Sequence, residues 1–471
     1  MVQEVVRARD VSILYGREKL SWEVLSWFMQ VVQRDKSLLQ MLDERAAGGQ
    51  AKFANLVAMQ NMTIMRRFSM LRSQDQPLSL LFYMVQMFRA VEARFDSKFM
   101  EDRVYALLGL SGANTDSITP EYEKGLRQVY IDVARHFGTT VPESRRLEFL
   151  LHAGMGYKPV TKDLPTWVPD WAITPQTRPL PGTDGTAEML FASSTDALLK
   201  DAAGLAVKGT YIVGDDDQEE VALARTKAVR DQMVASLPNC TSGTTPNLVF
   251  HPDNDTLTVR GRKLSRIRSV GLMYPGSGDN LTTATRVLSG WAVLASSVAR
   301  RTNPYGTQNV PDFFMQTLLN NGNDPSFDYT FTSGPVGRVN VDGQTKLGEM
   351  LLFVHLAKLT LSTTPAGVVD PAIIRAIQDL VGRADRFCIG KVFAVTDSGH
   401  FGLFMQGTQE GDVVCLLDGL SLPVSLREAK TESVHLADGD DVVAPCQYEL
   451  VGPAYIRGEL NGEGPEDFVI R

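Results

Sequence analysis

The residues with the chemistry to do work fall into three groups. Asp102, Arg103 and Tyr105 stand within four positions of one another. Trp167-Val168-Pro169-Asp170-Trp171 sets a carboxylate between two indoles, and His152 in Leu150-Leu151-His152-Ala153-Gly154 lies shortly before it. A carboxylate, a histidine and a tyrosine are enough for general acid–base work on a small molecule. A carboxylate in apolar surroundings would have its charged form penalised and its pKa raised. The plainer expectation for Asp102 and Arg103 is a brace between helices, with an aspartate favourable near a helix start and an arginine able to pair elsewhere. For the tryptophan segment it is a rigid clamp, because each proline fixes its own φ and disfavours helix in the residue before it. Both readings stay open.

Seven of the 17 methionines (Met59, Met62, Met65, Met70, Met84, Met87 and Met100) lie in one stretch, with Phe82 and Phe88 among them. Methionine fills irregular gaps and suits adaptable apolar sites. Ordinary core packing, a partner-binding surface and a pocket for an apolar ligand are all compatible with it. A pocket would be lined by Met62, Met65, Phe82, Met84, Met87, Phe88, Trp167 and Trp171.

The remaining side chains exclude more than they offer. Six histidines show no metal-ligand spacing, and the four cysteines, Cys240, Cys388, Cys415 and Cys446, form no C-x-x-C pair. No nucleophile elbow, P-loop or dinucleotide fingerprint stands between a strand and a helix. Neither a cofactor nor a metal is expected. Cys388 and Cys415 fall in apolar runs that read as strands, and Cys415 beside His400 reads as a pair of sheet neighbours, not as a nucleophile and its base. A net charge of −8, with only short basic clusters such as Arg66-Arg67, Arg145-Arg146 and Arg300-Arg301, argues against nucleic acid. No apolar run reaches the ~20 residues that span a bilayer, and the start of the chain has no leader pattern. A cytoplasmic, reduced protein is expected.

The elements that must position these residues change character along the chain. Residues 1–171 read as helical and end in the tryptophan segment. Apolar residues recur at helical spacing from Leu20 to Leu42, from Pro77 to Phe95 and from Leu126 to Phe137, and Thr119-Pro120-Glu121 has the form of a helix start. Residues 172–386 read as mixed. They open on a Pro- and Gly-rich break, carry the acidic run Asp215-Asp216-Asp217, and include a strand at Leu257–Gly261 and helices near 281–301, 345–360 and 371–383. Residues 387–471 are expected to form a small antiparallel sheet or barrel with a tail, since short β-type runs alternate there with glycines. The fold class is α+β, at a length that suits two or three packed units.

Several phrases resemble the region that follows the effector domain in fungal heterokaryon-incompatibility (HET) proteins. They are Gln3-Glu4 with Leu14-Tyr15-Gly16 and Leu20-Ser21-Trp22, DRVYALLGL at 102–110, ITPEY at 118–122, LPTWVPDW at 164–171, GDVVCLLDG with PVSLR at 411–427, and YELVGPAYIRGELNGE at 448–463. They stand in family order over nearly the whole chain. The resemblance implies a scaffold for regulation or interaction in self-recognition. It places the family's TIR-like effector domain before residue 1, so NAD cleavage is not carried over. A repurposed enzyme of specialised metabolism, a cyclase, isomerase or lyase acting on an apolar small molecule, is the alternative. A fragment of a longer incompatibility protein is the third possibility.

Overall fold

A computed structural model describes residues 2–26, 28, 79–88, 99–111, 118–140, 145–173, 244–276, 280–298, 371–429, 446–456 and 460–471, together with isolated positions at 62–69, 177, 180, 278 and 304–318. The acidic run at 215–217, the expected helix at 345–360, Cys240, and the side chains of Met87 and Phe88 lie outside the described residues.

Both helices and strands are present, in keeping with the α+β expectation. The helices are α1 (Val2–Arg7), α2 (Leu80–Phe88), α3 (Asp102–Leu108), α4 (Leu126–Thr140), α5 (Leu281–Val298) and α6 (Pro371–Cys388). The N-terminal part is not all helical: β1 (Ser12–Tyr15) and β2 (Glu18–Ser21) form an antiparallel hairpin. Gly16, at φ +61°, supplies the left-handed residue that a tight hairpin turn needs.

The large sheet is built from β3 (Leu248–His251), β4 (Thr256–Val270), β5 (Lys391–Thr396), β6 (Phe401–Met405), β7 (Val413–Leu417), β8 (Val424–Glu428), β9 (Gln447–Ile456) and β10 (Pro465–Ile470). Hydrogen bonds run in the order β4, β5, β6, β9, β8, β7, and β7 returns to β4, so the sheet closes into a ring. β4 reaches both neighbours because bulges at Lys263/Ser265 and Ile267/Ser269 bend it. β10 fits between β4 and β9, antiparallel to the first and parallel to the second. The sheet is therefore neither small nor confined to the C-terminal part, and the expected boundary at 386 runs through it. Within the expected tail, Pro465–Ile470 is a paired strand.

Two apolar clusters follow. Leu264, Ile267, Val392, Ala394, Phe404, Val414, Ala454 and Ile456 come from five strands and no helix, which is what a closed ring encloses. The larger cluster joins the outer strand faces to the helices. On α4, Val129, Tyr130, Val133, Ala134 and Phe137 recur at helical spacing and are all buried. On α5, Trp291 stacks against Phe393 of β5, ring centroids 5.8 Å apart at 24°.

Three local expectations are corrected. Thr119-Pro120-Glu121 does not open a helix; α4 begins at Leu126, after Gly125 at φ +81°. Cys388 ends helix α6 instead of lying in a strand, where Gly390 at φ +74° stops the helix before β5. Cys415 and His400 are not sheet neighbours: β7 pairs with β4 and β8, while His400 precedes β6 and bonds Ser398 at 2.9 Å.

Candidate functional site

The tryptophan segment is where the two halves of the molecule meet. Trp167 and Trp171 are both fully buried. The Trp167 ring packs on Phe149 (6.4 Å, 73°) and on Phe250 of β3 (5.4 Å, 45°), and its Nε1 donates to the Asp255 carbonyl at 2.8 Å. Offset and edge-on ring contacts of this kind add to the ~150–250 Å² that each aromatic buries. One residue earlier, the Thr166 backbone N–H donates to the Arg471 carbonyl at 2.9 Å, and its hydroxyl accepts from the Leu450 N–H at 2.9 Å. The segment thus holds β3, β9 and the end of β10 at once.

Asp170 is buried, and its carboxylate is fully engaged. It accepts from the backbone N–H groups of Val160 (2.7 Å), Thr161 (2.8 Å) and Ala172 (2.9 Å) and from the Thr161 hydroxyl (3.0 Å). A buried carboxylate holding four donors fixes a loop. Arg103 of α3 donates to the Trp171 carbonyl at 2.9 Å, and the His152 ring lies tilted on Trp171 at 6.2 Å. Arg103, His152, Asp170 and Trp171 are therefore brought together.

Asp102 and Tyr105, on the same short helix as Arg103, form a different corner. The Tyr105 hydroxyl accepts from the Glu121 N–H (3.2 Å) and donates to its carbonyl (3.1 Å). These two bonds tie 118–122 to α3 as a non-helical strap, against its helix-start signature. The Tyr122 hydroxyl donates to Asp102 at 2.7 Å. Of the methionine group, Met62, Met65, Phe82 and Met84 are at most 4% exposed and belong to the large apolar cluster.

Two residues were missed in the sequence. Asp255, in the turn between β3 and β4 at φ +51°, accepts Arg127 (2.8 Å) and Arg135 (3.0 Å) from one face of α4 while its carbonyl takes Trp167. The signal was the turn sequence Asp253-Asn254-Asp255, since aspartate tolerates the left-handed region. Tyr122 figured only as the end of a resembling phrase; its flanking Glu121 and Glu123 mark it as solvent-facing.

Neither Cys388 nor Cys415 is set up as a nucleophile. Burial pushes the Cys388 thiol up to about 12 and raises the Cys415 thiol as well, whereas a reactive cysteine needs its thiolate favoured. Among the described residues no group of three or more His, Cys, Asp or Glu side chains is placed to hold a metal ion, and no helix is long and apolar enough to cross a membrane. No family model, curated protein or solved structure matches the chain.

Proposed function

We propose that this chain is a HET-related scaffold with a regulatory or interaction role in self-recognition, not a catalyst. What carries the reading is that the phrases behind the resemblance touch one another. Gln3 donates to the Ala106 carbonyl, and Arg7 to that of Gly109 at 2.6 Å. Tyr105 and Asp102 hold Glu121 and Tyr122; Arg103 holds Trp171; Thr166 holds Leu450; Arg427 donates to Asp412 at 2.8 Å. Segments from 15 to 284 residues apart are matched in pairs by side-chain bonds to fixed partners, as a framework requires. Bonds of the same kind occupy two of the groups that acid–base chemistry would use. Asp170 has four donors around it, and Tyr105 spends its hydroxyl on the backbone.

The test uses the purified full chain. Incubated with NAD and, separately, with a small-molecule extract of a filamentous fungus, it is expected to leave every metabolite unchanged by mass spectrometry. A protein partner that binds when both components are pure is the positive result. A conversion abolished by Asp102→Asn at unchanged melting temperature would overturn the scaffold reading in favour of the enzyme.

A further inference from the structure

The outer side of the Asp102 corner carries two large rings half in solvent. Phe99 is 49% exposed and Tyr122 56%. The Tyr122 ring meets Phe99 edge-on at 6.0 Å and Tyr105 at 5.3 Å, and its hydroxyl is held by Asp102 at 2.7 Å. An exposed ring fixed at three points has already lost the side-chain freedom that binding would otherwise remove. Carboxylates flank it: Glu121 and Glu123, its neighbours in the chain, are exposed, and Glu101 and Asp102 at the start of α3 are half-buried. Just past the strap, Lys124 is held in an ion pair with Asp132. The Tyr122 phenol is raised above its usual range, first by its bond to Asp102 and further by the negative charges of Asp102 and Glu101. The acids alone would describe only a solvated turn; the fixed aromatic pair among them is what makes a binding face.

We propose that this corner docks a cationic side chain of a partner protein, an arginine above all. The inference rests on the scaffold reading and names the partner's chemistry. A guanidinium is planar, weakly hydrated for a cation, and able to stack on a tyrosine while its N–H groups reach carboxylates on either side. A lysine ammonium is more strongly hydrated and lacks the flat face. The occupant is a protein segment, because the negative field repels nucleic acid phosphates and anionic lipid alike.

Fluorescein-labelled hexa-arginine, hexalysine and hexaglutamate peptides, titrated into the full chain and followed by anisotropy, test this. Hexa-arginine is expected to bind tighter than hexalysine, with hexaglutamate not binding. Tyr122→Ala is expected to weaken hexa-arginine about tenfold, and Tyr122→Phe, which keeps the ring, by no more than about threefold. Phe99→Ala gives a second readout if Tyr122→Ala melts early. Glu123→Gln is expected to weaken binding, and Glu410→Gln, the same charge removed from an exposed turn of the barrel, to leave it unchanged. Absence of hexa-arginine binding, equal affinity of the native and Tyr122→Ala chains, or equal losses for Glu123→Gln and Glu410→Gln would overturn the proposal. None of these outcomes touches the scaffold reading, whose own test reads metabolites and a purified partner; conversely, a converted metabolite would leave the peptide result standing.

Discussion

Asp170 and Asp102 are the same residue in two corners linked through Arg103, and they are used in opposite ways. Asp170 is 3% exposed and surrounded by three backbone N–H groups and a hydroxyl. Asp102 stands at the edge of solvent and holds a phenol whose ring is half exposed. The first arrangement immobilises a loop against two buried tryptophans. The second keeps an aromatic ring fixed while leaving it accessible. A carboxylate therefore does not announce its role by type or by motif. The number of its donors and the exposure of what it holds decide between framework and contact surface.

The buried corner should break hardest. Trp171→Ala is expected to lower stability by ~3–5 kcal/mol, the usual cost of truncating a buried aromatic, in denaturant unfolding. A native midpoint would show that the indole is not packed as described, and the contrast between the corners would collapse. Asp170→Asn should follow at about 1–3 kcal/mol, since one of its acceptor oxygens becomes an NH₂ that faces N–H donors. If this variant unfolds like the native chain, the four bonds are not what fixes the loop.

A pH series sharpens the buried side. His136 of α4 is buried, and desolvation lowers its pKa below the usual 6.5. The unfolded chain then takes the proton more readily than the folded one. The neutral histidine's contribution is complete above the unfolded value of about 6.5 and is lost as pH falls from there through the lower folded value. The melting temperature of the native chain should fall between pH 7.5 and 5.5 more steeply than that of His136→Gln. Parallel curves would show that His136 is not the group that loses.

Much of this was legible in the sequence, and the reasons are local. Val129, Tyr130, Val133 and Phe137 announce α4 because its apolar face is a single stripe, and Val392–Val395 and Val413–Leu417 announce strands buried on both sides. The tryptophan segment was readable as a clamp because its prolines preclude helix. β10 was not, since Pro465-Glu466-Asp467 opens it and only Phe468 and Ile470 reach the core. Its strand character comes from β4 and β9, which the local sequence does not encode. Thr119-Pro120-Glu121 failed for the same reason: two bonds from Tyr105 outweigh a local helix signal. The closure of the ring rests on the bulged β4, of which the sequence reading caught only the first third.

The smallest effect is expected at Asp102, and it separates the two uses of aspartate most cleanly. Asp102→Asn removes a charge but keeps an oxygen that can accept from the Tyr122 hydroxyl. The bond survives as a neutral one, and a half-exposed hydrogen bond of that kind is worth about 1 kcal/mol at most. Stability should therefore change by less than for Asp170→Asn, although both substitutions swap one oxygen for an NH₂ group. Denaturant midpoints of the two variants, measured together, give the comparison directly. If Asp102→Asn is the more damaging, Asp102 is a buried brace after all, and the exposed ring beside it loses its standing as a separate surface. If the order is as expected, what Asp102 contributes is the orientation of Tyr122, and its loss should be felt in binding before it is felt in folding.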